Sequence, residues 1–141
     1  MNNQNISYKY DSRDEIKQMV RDFYKTKHIV SIDNDDLEPF FSDAGTLVAF
    51  DHKEPASNPQ RMVVICNTTK QELHSLEQDC QIERVLFLLF QSAQHELQID
   101  ELDGFSKMGL PDGVSVTWGF GTHEAEYTRV ITLVLTNNKS E

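Results

Sequence analysis

Val85, Leu86, Phe87, Leu88, Leu89 and Phe90 follow one another without a polar residue. Successive side chains of a strand point to opposite faces, so a half-exposed strand alternates apolar with polar residues. An unbroken short run instead predicts a central strand covered on both faces. It is the longest apolar run in the chain, and far below the ~20 residues that a membrane-spanning helix needs. A chain built around such a strand is a layered α/β domain, and 141 residues with 38% hydrophobic content fit one domain with a core of its own.

The remaining elements are read around that strand. Residues 1–10, MNNQNISYKY, are polar and are expected to form a flexible N-terminal tail. They contain no apolar block, so no secretory signal is expected. Ser12 and Glu15 have capping-box spacing. Ile16, Met19, Val20, Phe23 and Tyr24 then form one apolar stripe, predicting a helix to about Tyr24 or Lys25. The short apolar stretch 29–32 leads into an acidic loop. A second helix is expected over 37–42 with Asp36 as its N-cap; Pro39, in the first turn, removes no helical hydrogen bond. Residues 46–50 read as a strand. Asn58-Pro59 signals a helix start, whereas the β-branched run 62–66 suits a strand; a helix over 59–66 is the reading adopted here. Thr69-Lys70-Gln71-Glu72 has the form of another capping box, opening a short helix to about Gln78.

After the central strand, Leu97, Ile99, Leu102 and Phe105 lead into an amphipathic helix ending near Met108-Gly109, and Pro111-Asp112-Gly113 makes a turn. Val114, Val116 and Trp118 alternate with polar residues as a half-exposed strand. Residues 129–136 form the last strand, joined to it as a hairpin through 119–127. The expected fold class is α/β (α+β): a layered mixed four-stranded sheet with helices packed on it. The expected organisation is a single domain over 11–137, its first part, 11–32, being a leading helix and a linker to the acidic loop.

Charge and motif content narrow the function. There are 13 Lys+Arg against 23 Asp+Glu, a net charge of −10, which argues against nucleic acid and against an anionic membrane surface as partners. Cys66 and Cys80 do not have the spacing of a disulfide framework or a zinc site, and the chain reads as cytoplasmic with free thiols. The closest glycine pair, Gly119 and Gly121, lies in the expected hairpin and is no phosphate cradle. His28, His52, His74, His95 and His123 show no metal-site spacing and are expected at the surface. No catalytic residue, metal site or cofactor is therefore expected.

The most distinctive segment is Ser31-Ile32-Asp33-Asn34-Asp35-Asp36. Capping and the helix dipole account for Asp36 and Glu38; they leave Asp33 and Asp35 as exposed charge. Ser31, Asp33, Asp35 and Asp36 are accordingly the candidate partner-facing residues.

From about Glu15 to Thr136 the chain resembles the C-terminal domain of FtsZ, the bacterial relative of tubulin active in cell division, preceded by the end of that family's central helix. The resemblance runs through Ile29-Val30-Ser31-Ile32-Asp33-Asn34-Asp35-Asp36, Phe41-Ser42-Asp43-Ala44-Gly45 and Arg84-Val85-Leu86-Phe87-Leu88-Leu89. It continues in Glu96-Leu97-Gln98-Ile99-Asp100-Glu101-Leu102, residues 114–119 and Arg129-Val130-Ile131-Thr132. The chain departs from the family pattern at Ser31, where the family has Asn, at Lys27-His28, where it has Pro-Gly, and at Gln94, where it has Gly.

The resemblance implies that the GTP-binding half of the family is missing from this sequence. It also implies that Asp33 and Asp36 inherit the acidic loop that reaches a neighbouring subunit's nucleotide pocket. The expected function is a non-catalytic assembly domain acting by protein–protein contact, capping or regulating a filament of a tubulin-like GTPase. One alternative is that the acidic carboxylates complete a partner's GTPase site in trans. Another is that the fold is reused as a small-ligand-binding homo-oligomer, with Trp118, Phe120 and Tyr127 at its interface.

Overall fold

The apolar run lies at the centre of a six-stranded sheet. The computed structural model describes residues 6–42 and 45–138. Its elements are β1 (Ile6–Tyr10), α1 (Arg13–Tyr24), β2 (Lys27–Val30), α2 (Asn34–Ser42), β3 (Thr46–Pro55), α3 (Arg61–Asp79) and β4 (Cys80–Ser92). A 3-10 helix (Ile99–Lys107), β5 (Ser115–His123) and β6 (Tyr127–Asn138) follow. The strand order is β1-β3-β6-β4-β5-β2. β4 pairs with β5 in parallel and with β6 antiparallel, and the other pairings are antiparallel.

Alternation along β4 divides the core between two layers. Leu86, Leu88 and Phe90 join Ile16, Met19, Val20 and Phe23 of α1 and Leu37 and Phe40 of α2 on one face. Val85, Phe87 and Leu89 join Met62, Ile65, Cys66 and Leu73 of α3 on the other. Helices thus cover both faces, as the unbroken run requires. α1 starts where expected: Ser12 Oγ accepts a hydrogen bond from the Glu15 amide at 3.4 Å. Among the described residues no helix is long and apolar enough to cross a membrane.

Several expectations are corrected. The sheet has six strands, not four. Residues 6–10, expected in the flexible tail, form β1, which pairs antiparallel with β3; residues 1–5 lie outside the described residues. The expected linker contains β2, a strand held by backbone pairing at the sheet edge with little apolar burial. The two helices expected over 59–66 and 69–78 are one, α3, because no Gly or Pro interrupts them and Thr69 is buried mid-helix. The helix expected before Met108 is a 3-10 helix.

The expected hairpin between the last two strands does not form. β4 lies between β5 and β6 in the sheet, and β5 runs parallel to β4, a pairing that needs a crossover, here residues 93–114. β1 and β2, consecutive in sequence, occupy opposite edges, with α1 crossing the face between them.

Two buried arginines tie the layers together. Arg61, at the start of α3, donates to the carbonyls of Ala56 (2.6 Å), His95 (2.8 Å) and Glu96 (2.9 Å). It also donates to both carboxylate oxygens of Glu101 at 2.9 Å. It fixes the loop after β4 and the start of the 3-10 helix. Arg129 in β6 makes a two-pronged pair with Asp51 of β3 at 2.9 and 2.7 Å and reaches Asp22 of α1 at 3.2 Å. His52, expected at the surface, is completely buried, its Nε2 2.6 Å from Glu72 Oε1 of α3.

Candidate functional site: an acidic helix start beside a sheet edge

The backbone of the candidate segment is set by two glycines in β5. A Cβ at Gly119 would meet Phe23 Cζ at 2.8 Å and Ile32 Cγ2 at 3.0 Å, and one at Gly121 would collide with Thr26 Oγ1. Their absence lets the end of α1 and the entry to α2 press onto the sheet. The pair is therefore a packing device within β5, not the hairpin turn expected from sequence. β2 pairs through Lys27↔Thr122, His28↔Gly121 and Val30↔Phe120, with a register shift between His28 and Val30. It ends where Ile32 turns into the core at 5% exposure.

His28 fastens this turn. Its ring stacks on Phe23 at 4.7 Å between centroids, tilted by 14°. Nε2 lies 3.0 Å from the Phe23 carbonyl oxygen and Nδ1 3.2 Å from Ser31 Oγ. Tyr24 completes the corner by donating its hydroxyl to the Ile32 carbonyl at 3.4 Å. Burial, followed by the negative charges of Asp33 and Asp36, raises the pKa of the Tyr24 hydroxyl. The aromatic group and the two carboxylates thus share one corner of the surface.

α2 begins earlier than expected. Its cap is Asp33, not Asp36, and its first residue is Asn34, not Leu37, so Pro39 lies inside the helix, where it removes one helical hydrogen bond, and not in its first turn. Asp33 Oδ1 accepts from the Asp36 amide at 3.1 Å, and Asp36 Oδ2 accepts from the Asp33 amide at 3.0 Å. The Asp33 carbonyl also accepts from the amides of Asp36 and Leu37. This reciprocal exchange satisfies amides that a helix start leaves without partners. Asp33 therefore has the intramolecular role that the sequence reading assigned to Asp36. Asp35 stands exposed in the first turn, where the helix dipole favours negative charge.

The structure brings Ser31, Asp33, Asp35 and Asp36 to one place beside Tyr24, and Tyr24, Ile29 and Val30 are 42, 56 and 44% exposed. Sequence reasoning missed this apolar component. Tyr24 read as the end of the buried stripe, while Ile29 and Val30 read as an approach to the loop. Chemically the surface offers carboxylate oxygens as acceptors for cationic donors, with apolar contact area alongside. Among the described residues no three His, Cys, Asp or Glu side chains converge as a metal site.

No protein-family model and no curated protein matches the chain. Among solved structures it is similar to an empty FtsZ dimer from M. jannaschii, with a TM-score of 0.60 at 14% identity. The match covers 89% of this chain and 40% of that one. The fold is FtsZ-like. A thiamine-monophosphate kinase from Stenotrophomonas maltophilia K279a superposes with a TM-score of 0.40 at 14% identity, over 97% of this chain and 45% of that one, too loosely to support an argument. The chain thus spans about two fifths of the FtsZ structure it matches. The FtsZ-like mixed α/β architecture agrees with the expectation from sequence, with two strands more.

Proposed function

We propose that this chain is a non-catalytic assembly domain, corresponding to the C-terminal domain of FtsZ, that caps or regulates a filament of a tubulin-like GTPase by protein–protein contact. The observation that carries the reading is the acidic start of α2, presented beside exposed Tyr24, with Ile29 and Val30 exposed on the adjoining edge strand β2, on an FtsZ-like fold. Because the capping box already holds Asp33 and Asp36, little side-chain freedom is lost when a partner docks. Their charge suits a basic surface, speeding encounter and rejecting acidic partners. On this reading the nucleotide comes with the partner, and the chain works in the cytoplasm without a cofactor.

The test is co-sedimentation of the chain with purified FtsZ filaments, with GTP turnover followed in parallel. Asp33→Asn/Asp36→Asn keeps both capping acceptors while removing both charges, so folding is preserved. The reading expects the wild type to bind and shorten filaments, the double variant to lose binding roughly tenfold or more, and turnover per subunit contact to stay unchanged. Absence of wild-type binding overturns it. Turnover raised by the wild type, and lost in a variant that still binds, assigns the carboxylates to hydrolysis in trans instead.

A further inference from the structure

β5 is longer than the strand that covers it. β2 pairs only with Phe120, Gly121 and Thr122, because the chain leaves the sheet after Val30 to enter α2. β5 begins at Ser115, so Ser115, Val116, Thr117 and Trp118 have β4 on one side. On the other side, among the described residues, they have no paired strand. Val116 and Trp118 stand opposite Val85 and Phe87, on the α3 side of the sheet. They are nevertheless 48 and 42% exposed, and Val30, opposite Phe120 and 44% exposed, continues the strip.

An uncovered edge is a template for another strand, and proteins usually guard such an edge with Lys, Pro or an inward charge. Residues 114–122, VSVTWGFGT, contain no charged residue and no Pro. Acidic side chains stand at the two ends of the strip, those at the Ser115 end accompanied by Arg84 of β4. Asp112 is exposed three residues before Ser115, and Asp33 and Asp35 are exposed just past Ile32, whose side chain lies against Gly119. A second copy of the chain would bring another net charge of −10 to this edge, an unfavourable encounter.

We infer that the free edge of Ser115–Trp118 accepts one extended segment of a partner protein as an added strand. That segment carries β-branched or aromatic residues at alternate positions beside Val116 and Trp118, and Lys or Arg at its ends toward Asp112 and toward Asp33 and Asp35. The inference rests on the reading that the acidic helix start faces a protein partner, and it names the form of that partner.

Trp118 is the only tryptophan of the chain, so its emission reports on the edge directly. The probes are a synthetic Lys-Lys-Val-Thr-Val-Thr-Val-Lys-Lys peptide and its counterpart with glutamates in place of lysines. The lysine peptide is expected to shift Trp118 emission to the blue and saturably, to slow amide exchange at 115–118, and to weaken with salt. The glutamate peptide should bind roughly tenfold or more weakly, and Val116→Lys, a surface change, should abolish the response.

Unmoved emission with both peptides, equal binding of both, or wild-type self-association that Val116→Lys removes would each overturn the inference. In the filament assay, binding lost in Asp33→Asn/Asp36→Asn but intact in Val116→Lys would sink the added strand while leaving the protein-contact reading standing.

Discussion

The amide of Asp36 donates to Asp33 Oδ1 at 3.1 Å while the amide of Asp33 donates to Asp36 Oδ2 at 3.0 Å. Two like charges are thereby held close together, each with one oxygen committed to a backbone donor. The repulsion is offset by hydrogen bonds to amides at the positive end of a helix. The same bonds that start α2 fix the direction in which the acidic surface points.

Removing the cap should cost stability before it costs binding. Asp33→Ala is expected to lower unfolding free energy by about 1 kcal/mol, whereas Asp33→Asn, which retains an acceptor, should change it by only a few tenths. Urea titrations of the three proteins provide the comparison. Leu37 and Phe40 stay anchored in the core, so helical circular dichroism in the absence of urea should be unaltered in all of them.

Arg61 carries more. Its side chain is 7% exposed, and Arg61→Met would leave the Glu101 carboxylate with only the Gln98 amide as donor and strip three carbonyls of the guanidinium. Breaking such a buried pair costs roughly 3–5 kcal/mol. Hydrogen exchange should accelerate first in residues 93–98, which Arg61 holds through His95 and Glu96. A variant whose 93–98 amides remained as protected as the wild type's would contradict this role.

Glu101 gives the same node a pH signature. Its pKa is lowered from the usual 4.5, first by the hydrogen bonds from Arg61, against an opposing effect of burial; the Gln98 amide and the Arg61 charge lower it further. A carboxylate whose folded pKa lies below its unfolded one stabilises the fold above the unfolded value, and this is lost as pH falls through the folded value. The stability gap between wild type and Glu101→Gln should therefore be constant above about pH 5 and narrow as the solution is acidified below about pH 4.5. A gap that widened in acid would reverse the sign.

The two thiols should separate cleanly. Cys66 is buried against Gly104, and burial pushes its pKa up to about 11; Cys80, at the start of β4, is half-buried. At pH 8, only roughly one Cys66 in a thousand is a thiolate. A chromogenic disulfide reagent should titrate Cys80 promptly and Cys66 only after denaturant is added. Cys80→Ser should erase the fast phase.

Local patterns foretold the parts of this fold whose burial is local. The stripe of α1 and the run inside β4 each declare which faces are covered, because every side chain involved packs on a neighbouring layer. β2 carries no such mark: it is held by backbone pairing to residues some 90 positions later, and its side chains stay largely exposed. Nor does any residue in β5 announce that it will lie beside β4 and not β6, since that choice depends on the crossover through residues 93–114. His52 looked like a surface residue because its partner, Glu72, comes from a different element.

At the candidate site the acidic residues were legible and their division of labour was not. Asp33 and Asp36 are three positions apart, the spacing of a capping box, and either could have served as the cap. Alternation marked Val116 and Trp118 as the apolar side of a half-exposed strand, yet both are exposed at the sheet edge, and Tyr24 and Ile29 became part of the surface only through the turn that His28 fastens.

The placement of β1 and β2 at opposite edges of the sheet bears on how the chain is made. Five strand spacings of ~4.8 Å separate those edges, about 24 Å, and α1, at ~1.5 Å per residue, covers about 18 Å of it. The seat of β2 is not synthesised until Thr122 emerges. At ~5–20 residues per second that is a wait of roughly 5–20 s after Lys27 has left the ribosome. β1 can pair as soon as β3 has emerged, and the α1 stripe has Leu47 and Ala49 of β3 and Leu86, Leu88 and Phe90 of β4 to pack on, but a chain stalled short of β5 would leave β2 without its partner strand. β2 precedes β3, β4 and β5 along the chain, yet it is among the last strands to find its partner.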